Sequence, residues 1–153
     1  MNKLEFLLEK YKKQSIELGI ALNPPATIEE IKTFEERVNI KLPFEIKEFY
    51  LTANGFETLD YLFRIIPLEE ISEYKAELPS NRIYFAEYMI YSDTWEINIS
   101  EDSYQIINND HSSSADIIFS NSIFEFIDKY LDGNGIFGER GIFWQQEQFL
   151  NRE

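Results

Sequence analysis

The sequence predicts an α+β fold: N-terminal helices, a central, mainly antiparallel sheet of about 5–6 short strands, and a closing C-terminal helix. Three observations predict it. Apolar residues keep helical spacing over the first third of the chain and again after Ser122. The stretch between them consists of short runs rich in Ile, Tyr, Phe and Trp, broken by polar turns. No internal repeat, low-complexity tract or long linker divides the 153 residues, so one domain over 1–153 is expected.

Residues 2–18 read as an amphipathic helix with Leu4, Leu7, Leu8, Tyr11, Ile16 and Leu18 on its apolar side and Gly19 as its stop. Asn23 to Ala26 contains two prolines and is a rigid connector. Thr27 and Glu30 have capping-box spacing and open a second helix, with Ile28, Ile31, Phe34 and Val38 as its buried stripe and Asn39 as its end. Pro43 suits the first turn of a third helix. Phe44, Ile46, Phe49, Tyr50 and Ala53 form its apolar side, and Asn54-Gly55 closes it, with Gly55 free to turn left-handed.

Strand character begins at residues 62–66. Pro67 to Tyr74 reads as a short helix or turn. Residues 82–91 read as one bent strand or two. Residues 94–99 alternate, with Trp95, Ile97 and Ile99 on one face and Glu96 and Asn98 on the other. Residues 104–107 and 117–119 are two more strands, separated by a polar loop over 109–116. Ser122 and Glu125 repeat the capping-box spacing and open a helix carrying Ile123, Phe126, Ile127, Tyr130 and Leu131, ended by Gly133. Phe143, Trp144, Phe149 and Leu150 mark a final short helix.

Charge is the strongest compositional signal. The net charge is −14, but residues 57–128 hold 15 acids against Arg64, Lys75 and Arg82, while the flanking parts are each close to neutral. Such a field repels nucleic acid and anionic membrane and draws cationic partners. A solubilising surface would have the same sign. Glu5 and Glu9 interrupt the apolar residues of the N-terminus, so no signal-peptide core is read, and no apolar run approaches the ~18 residues that span a bilayer. Cysteine is absent, which removes disulfides, thiolate metal sites and a Cys nucleophile and agrees with a reducing compartment. A soluble, cytoplasmic protein is expected.

Catalytic patterns are weak. His111 is the single histidine, and its neighbours Asp110, Ser112 to Ser114 and Asp116 do not make a triad by adjacency. Carboxylate pairs are unavoidable among 28 acids and therefore carry no specificity. There is no phosphate loop, EF-hand spacing or zinc pattern, and the glycines of DGNGIFGERG (132–141) read as turns. No catalytic residue, metal or cofactor is expected, and the chain reads as a binding protein and not an enzyme.

The stretch ATIEEIKTFEERVNIKLPFEIKEFYLTANG (26–55) resembles the signature of the SUKH superfamily of Smi/Knr-type domains, at Ile28, Ile31, Phe34, Glu35, Ile40, Leu42-Pro43, Ile46, Phe49, Tyr50 and Asn54-Gly55. FRIIPL (63–68) with Ile71, and SIFEF (122–126), resemble the family's following strand, short helix and closing helix. Residues 84–91 lack the Gly-Asp often found after this strand in the family. The match spans roughly residues 24–132. The resemblance implies an α+β fold without known catalysis. It is nearest to small bacterial immunity proteins paired with LXG-type toxins that carry an RNase domain.

The first reading is therefore an immunity protein that binds and neutralises a cognate toxin, a basic nuclease or RNase domain, through an acidic surface that mimics phosphate. The alternative is a non-catalytic regulatory interaction module related to the fungal cell-wall-assembly regulators. The contacts expected are Glu69, Glu70, Glu73, Asp93, Trp95, Glu96, Glu101 and Asp102, from the acidic segment. Trp95 has two readings, a core residue or an aromatic anchor beside acids. Exposed aromatics would also permit a homodimer.

Overall fold

The computed structural model describes residues 2–60, 62–108, 117–137 and 139–150. In chain order the helices and strands are α1 (Lys3–Lys10), α2 (Lys12–Glu17), β1 (Ala21–Leu22), α3 (Ile28–Val38), α4 (Phe44–Thr52), β2 (Phe56–Glu57), β3 (Arg64–Ile65), α5 (Leu68–Tyr74), β4 (Arg82–Tyr88), β5 (Asp93–Ser100), β6 (Ser103–Asn108), β7 (Ile117–Ser120), α6 (Ile123–Asp132) and α7 (Ile142–Leu150). The expected α+β class is found. Each strand pairs antiparallel with the next, so the sheet is a seven-stranded meander in sequence order among the described residues.

Local chemistry accounts for the helix ends. Thr27 Oγ1 accepts the Glu30 N–H at 3.0 Å, and Glu30 Oε1 accepts the Thr27 N–H at 3.1 Å, which completes the capping box of α3. Asn39 ends α3 in the left-handed region at φ +55°. At α6 the box is one-sided: Ser122 Oγ accepts from Phe124 and Glu125, without the reciprocal bond. The single helix expected over 2–18 is instead two. Its backbone breaks at Tyr11 (φ −109°, ψ 43°), whose hydroxyl donates to Asp128 Oδ1 of α6 at 2.7 Å. Burial and the Asp128 carboxylate both push the Tyr11 hydroxyl pKa up, so it remains a donor.

The sheet also departs from expectation at its thin edge. β1 and β2 have only two residues each, too few to show alternation, and β3 is the two-residue remnant of the run expected over 62–66. β4 stops at Tyr88, so residues 89–92 are a turn, and its pairing with β5 slips between Tyr84 and Ala86, a bulge at Phe85. Phe126 of α6 places its ring against Phe63, Phe85, Trp95 and Phe119, so this helix lies on the centre of the sheet. Ile46, Phe49 and Tyr50 of α4 enter the same core. Ile28 and Phe44, expected in buried stripes, instead face water. No helix among the described residues is long and apolar enough to cross a membrane.

Candidate functional site

The site is built around α5. Its N-terminus follows Pro67, which has no side-chain acceptor to cap the helix. Asn54 fills that role from a distance. Its Oδ1 accepts the buried Leu68 N–H at 2.9 Å, and its Nδ2 donates to Glu69 Oε2 at 3.0 Å. Asn54 is itself held by its N–H on the Pro24 carbonyl and by Asn23 Nδ2 on its own carbonyl. Gly55 follows with φ +79°, and a Cβ there would stand 2.3 Å from the Ile65 carbonyl oxygen, so the backbones approach only because the residue is glycine. The helix does not end on this pair as expected. Ala53 ends it in extended geometry, and Asn54-Gly55 instead anchors the next helix.

With Leu68 and Ile71 turned inward, Glu69 and Glu73 face out one turn apart. α3 packs beside α5 and adds Glu29 and Glu30. Together they border a groove of about 290 Å³ in which Glu29, Glu30 and Glu69 stand against the single base Arg37. Glu77 continues the exposed acids beyond the end of α5. The bases of the acidic segment do not offset this face. Arg64 Nη1 and Nη2 form a two-pronged pair with Glu70, and its Nε donates to Glu87 Oε1 at 3.2 Å. Arg82 lies 3.6 Å from Glu96, and Lys75 Nζ donates to the Pro79 carbonyl at 2.9 Å.

The eight expected contacts therefore do not share one face. Glu69 and Glu73 are exposed on α5. Glu70 turns the other way, to Arg64 and the Tyr91 hydroxyl. Burial pushes the Glu70 pKa up, but hydrogen bonds from Arg64 and Tyr91 outweigh it and hold the carboxyl below its usual range. Trp95 is fully buried, its ring stacked near Phe143 and its Nε1 donating to Gln146 Oε1 at 3.0 Å. Its core reading is the correct one, and the reading of Trp95 as a surface anchor is withdrawn. Glu96 is also inside, on the opposite face of β5, beside Arg82. Asp93 begins β5, whereas Glu101 and Asp102 lie past its other end. Eight residues at ~3.3 Å each put these two turns roughly 25 Å apart. Asp102 is exposed, but its Oδ1 accepts the Phe44 N–H at 3.0 Å and so caps α4.

Sequence reasoning missed Glu29 and Glu30 as neighbours of α5. They lie in a part of the chain whose charge sums to nearly zero, so the charge map does not single them out. His111 and the loop around it lie outside the described residues. Among the described residues, no three His, Asp or Glu side chains gather as a metal site would require.

Comparison with curated proteins finds no match. A family model does match: residues 25–144 fit the SMI1 / KNR4 family (SUKH-1), a stretch that runs from the Pro-Pro connector through α6 into α7. The chain belongs to the SMI1 / KNR4 family (SUKH-1).

Proposed function

We propose that this chain is an immunity protein that neutralises a cognate toxin by covering a basic surface of it, a nuclease or RNase cleft, with the acidic face of α5 and α3. The carrying observation is that Glu69 and Glu73 project from a helix fixed by Asn54, beside Glu29 and Glu30, while the bases of the surrounding segment are engaged elsewhere. A preformed acidic face speeds encounter with a basic partner, toward about 10⁸–10⁹ M⁻¹s⁻¹ at low salt. Inhibition of this kind needs no chemistry from the chain, only occupancy of the surface that would hold phosphate.

The deciding experiment identifies the adjacent gene and, where it encodes a toxin with a C-terminal nuclease domain, co-expresses that domain with this chain. Cells expressing both should grow; failure to protect them refutes the reading. Reversing Glu69 and Glu73 to Lys should slow association about tenfold at low ionic strength, with the loss shrinking as salt shortens the reach of the charges. An unchanged association rate would remove α5 from the interface.

A further inference from the structure

The turn between β4 and β5 has a backbone that its residues disfavour. Met89, Ile90 and Tyr91 are consecutive and all left-handed, at φ +48°, +53° and +62°. Residues with a Cβ resist this region, and β-branched Ile resists it most. Burial does not compensate, because Met89 is 47% and Ile90 78% exposed. The conformation is imposed by Tyr91. Its N–H donates to Glu87 Oε2 at 2.6 Å and its hydroxyl to Glu70 Oε2 at 2.5 Å. Its ring lies against Tyr74 and Tyr84 and below the Arg64 guanidinium. Ser92 closes the turn with its N–H on the Tyr88 carbonyl and its hydroxyl on the Met89 carbonyl. The result is a tip, tied down at Tyr91 and Ser92, that holds two apolar side chains in water.

Beside the tip is a cleft of about 250 Å³ between Ile90 and Leu62, with Phe63 and Thr58 in its lining and Glu57 exposed beside it. Leu62 repeats the pattern: it is left-handed, at φ +65°, and 59% exposed. Strain of this kind persists where the surrounding structure over-determines it, and it gathers at binding and switching sites.

We propose that Ile90, with Leu62 across the cleft, is an apolar anchor that seats in a hollow on a basic protein partner. The charge around the tip selects the occupant. Glu57 is exposed beside the cleft, and Glu70 and Glu87 share one guanidinium, Arg64, so the charge balance at the tip is negative. The tip is also joined to α5 through the Tyr91–Glu70 hydrogen bond and the Tyr74–Tyr91 ring contact, on the Glu70 side of the helix, so it is met by a partner that reaches around α5 from Glu69 and Glu73. The inference rests on the toxin-binding reading and adds a division of labour. The acids set the rate of arrival, and the preorganised apolar anchor sets the rate of departure.

The test uses Ile90→Asn and Leu62→Asn in the full chain, with the toxin domain against which co-expression of this chain protects cells as the probe, by surface plasmon resonance and thermal unfolding. Asparagine tolerates the left-handed region, so each variant should melt about 2–4 °C higher than the wild type. Each should also leave the toxin domain at least about tenfold faster, with association within twofold. Dissociation within twofold of the wild type overturns the anchor alone. A lower melting temperature overturns the strain argument on which it stands. If the wild type does not bind the toxin domain, the functional reading falls first and takes the anchor with it.

Discussion

Replacing Asn54 by alanine tests whether one side chain sets the acidic helix in place. The change removes two hydrogen bonds of unequal weight. The Leu68 N–H is buried at the start of α5, where Pro67 offers it no replacement acceptor. Leaving such a donor without a partner costs about 1–3 kcal/mol. The bond to Glu69 is worth less, about 0.5 kcal/mol, because this exposed carboxylate can turn to water. Together they give a loss of about 1.5–3.5 kcal/mol, or a fall in melting temperature of roughly 3–14 °C for a chain of this size. Urea unfolding should show a lower midpoint with an unchanged slope, since the surface exposed on unfolding is the same. Glu69→Ala is the control. It removes only the exposed bond and should cost under about 1 kcal/mol. If Asn54→Ala unfolds within about 0.5 kcal/mol of the wild type, α5 is held by its packing and not by Asn54.

Two further outcomes follow from buried groups. Trp95→Ala should destabilise by about 3–5 kcal/mol, because it empties the space between Phe63, Phe126 and Phe143 and leaves the Gln146 Oε1 without its donor. Chemical denaturation measures the loss, and a cost under about 1 kcal/mol would contradict its place in the core. Glu70 supplies a pH dependence. Its carboxyl is held below the ordinary value of 4.5, so its stabilisation is complete above that pH and is lost as pH falls through the lowered value. Glu70→Gln should therefore be less stable than the wild type at neutral pH and flatten the fall in stability below about pH 4.5. Parallel curves for the two proteins between about pH 2.5 and 5 would show that the Arg64 pair is not the titrating contact.

The parts of the fold that were legible are those fixed by local chemistry. Thr27 and Glu30 meet within one turn, so their spacing alone marks the start of α3. The expectation failed where distant contacts decide. Nothing within residues 2–18 marks a break at Tyr11, and the carboxylate that its hydroxyl meets there, Asp128, lies 117 residues away. Helical period placed Ile28 and Phe44 on apolar sides but could not show that neither is covered. The same holds at the site. The acidic segment was legible as a sum of charges, but whether a given acid faces out depends on pairing. Glu87 is buried because strand register sets it opposite Arg64, and Glu70 turns inward to the same guanidinium. Glu69 and Glu70 are neighbours in sequence, yet only Glu69 is left facing solvent.

These placements explain why family membership identifies the fold more firmly than the partner. Most signature residues look inward: Ile31, Phe34, Leu42, Ile46, Phe49 and Tyr50 are buried. The polar members hold backbone. Glu35 Oε2 accepts the Leu42 N–H at 2.7 Å, the Tyr50 hydroxyl donates to the Ile66 carbonyl at 2.8 Å, and Asn54 starts α5. A sequence can satisfy every one of these contacts and still carry any charge at Glu73 or any side chain at Ile90, because neither takes part in them, and Glu69 only accepts the Asn54 amide. The signature thus builds a platform and leaves its outer surface free to vary. Changing the surface should alter which partner is held without altering the fold, whereas changing Asn54 should weaken both together, since the acids proposed to meet the partner stand on the helix that Asn54 begins.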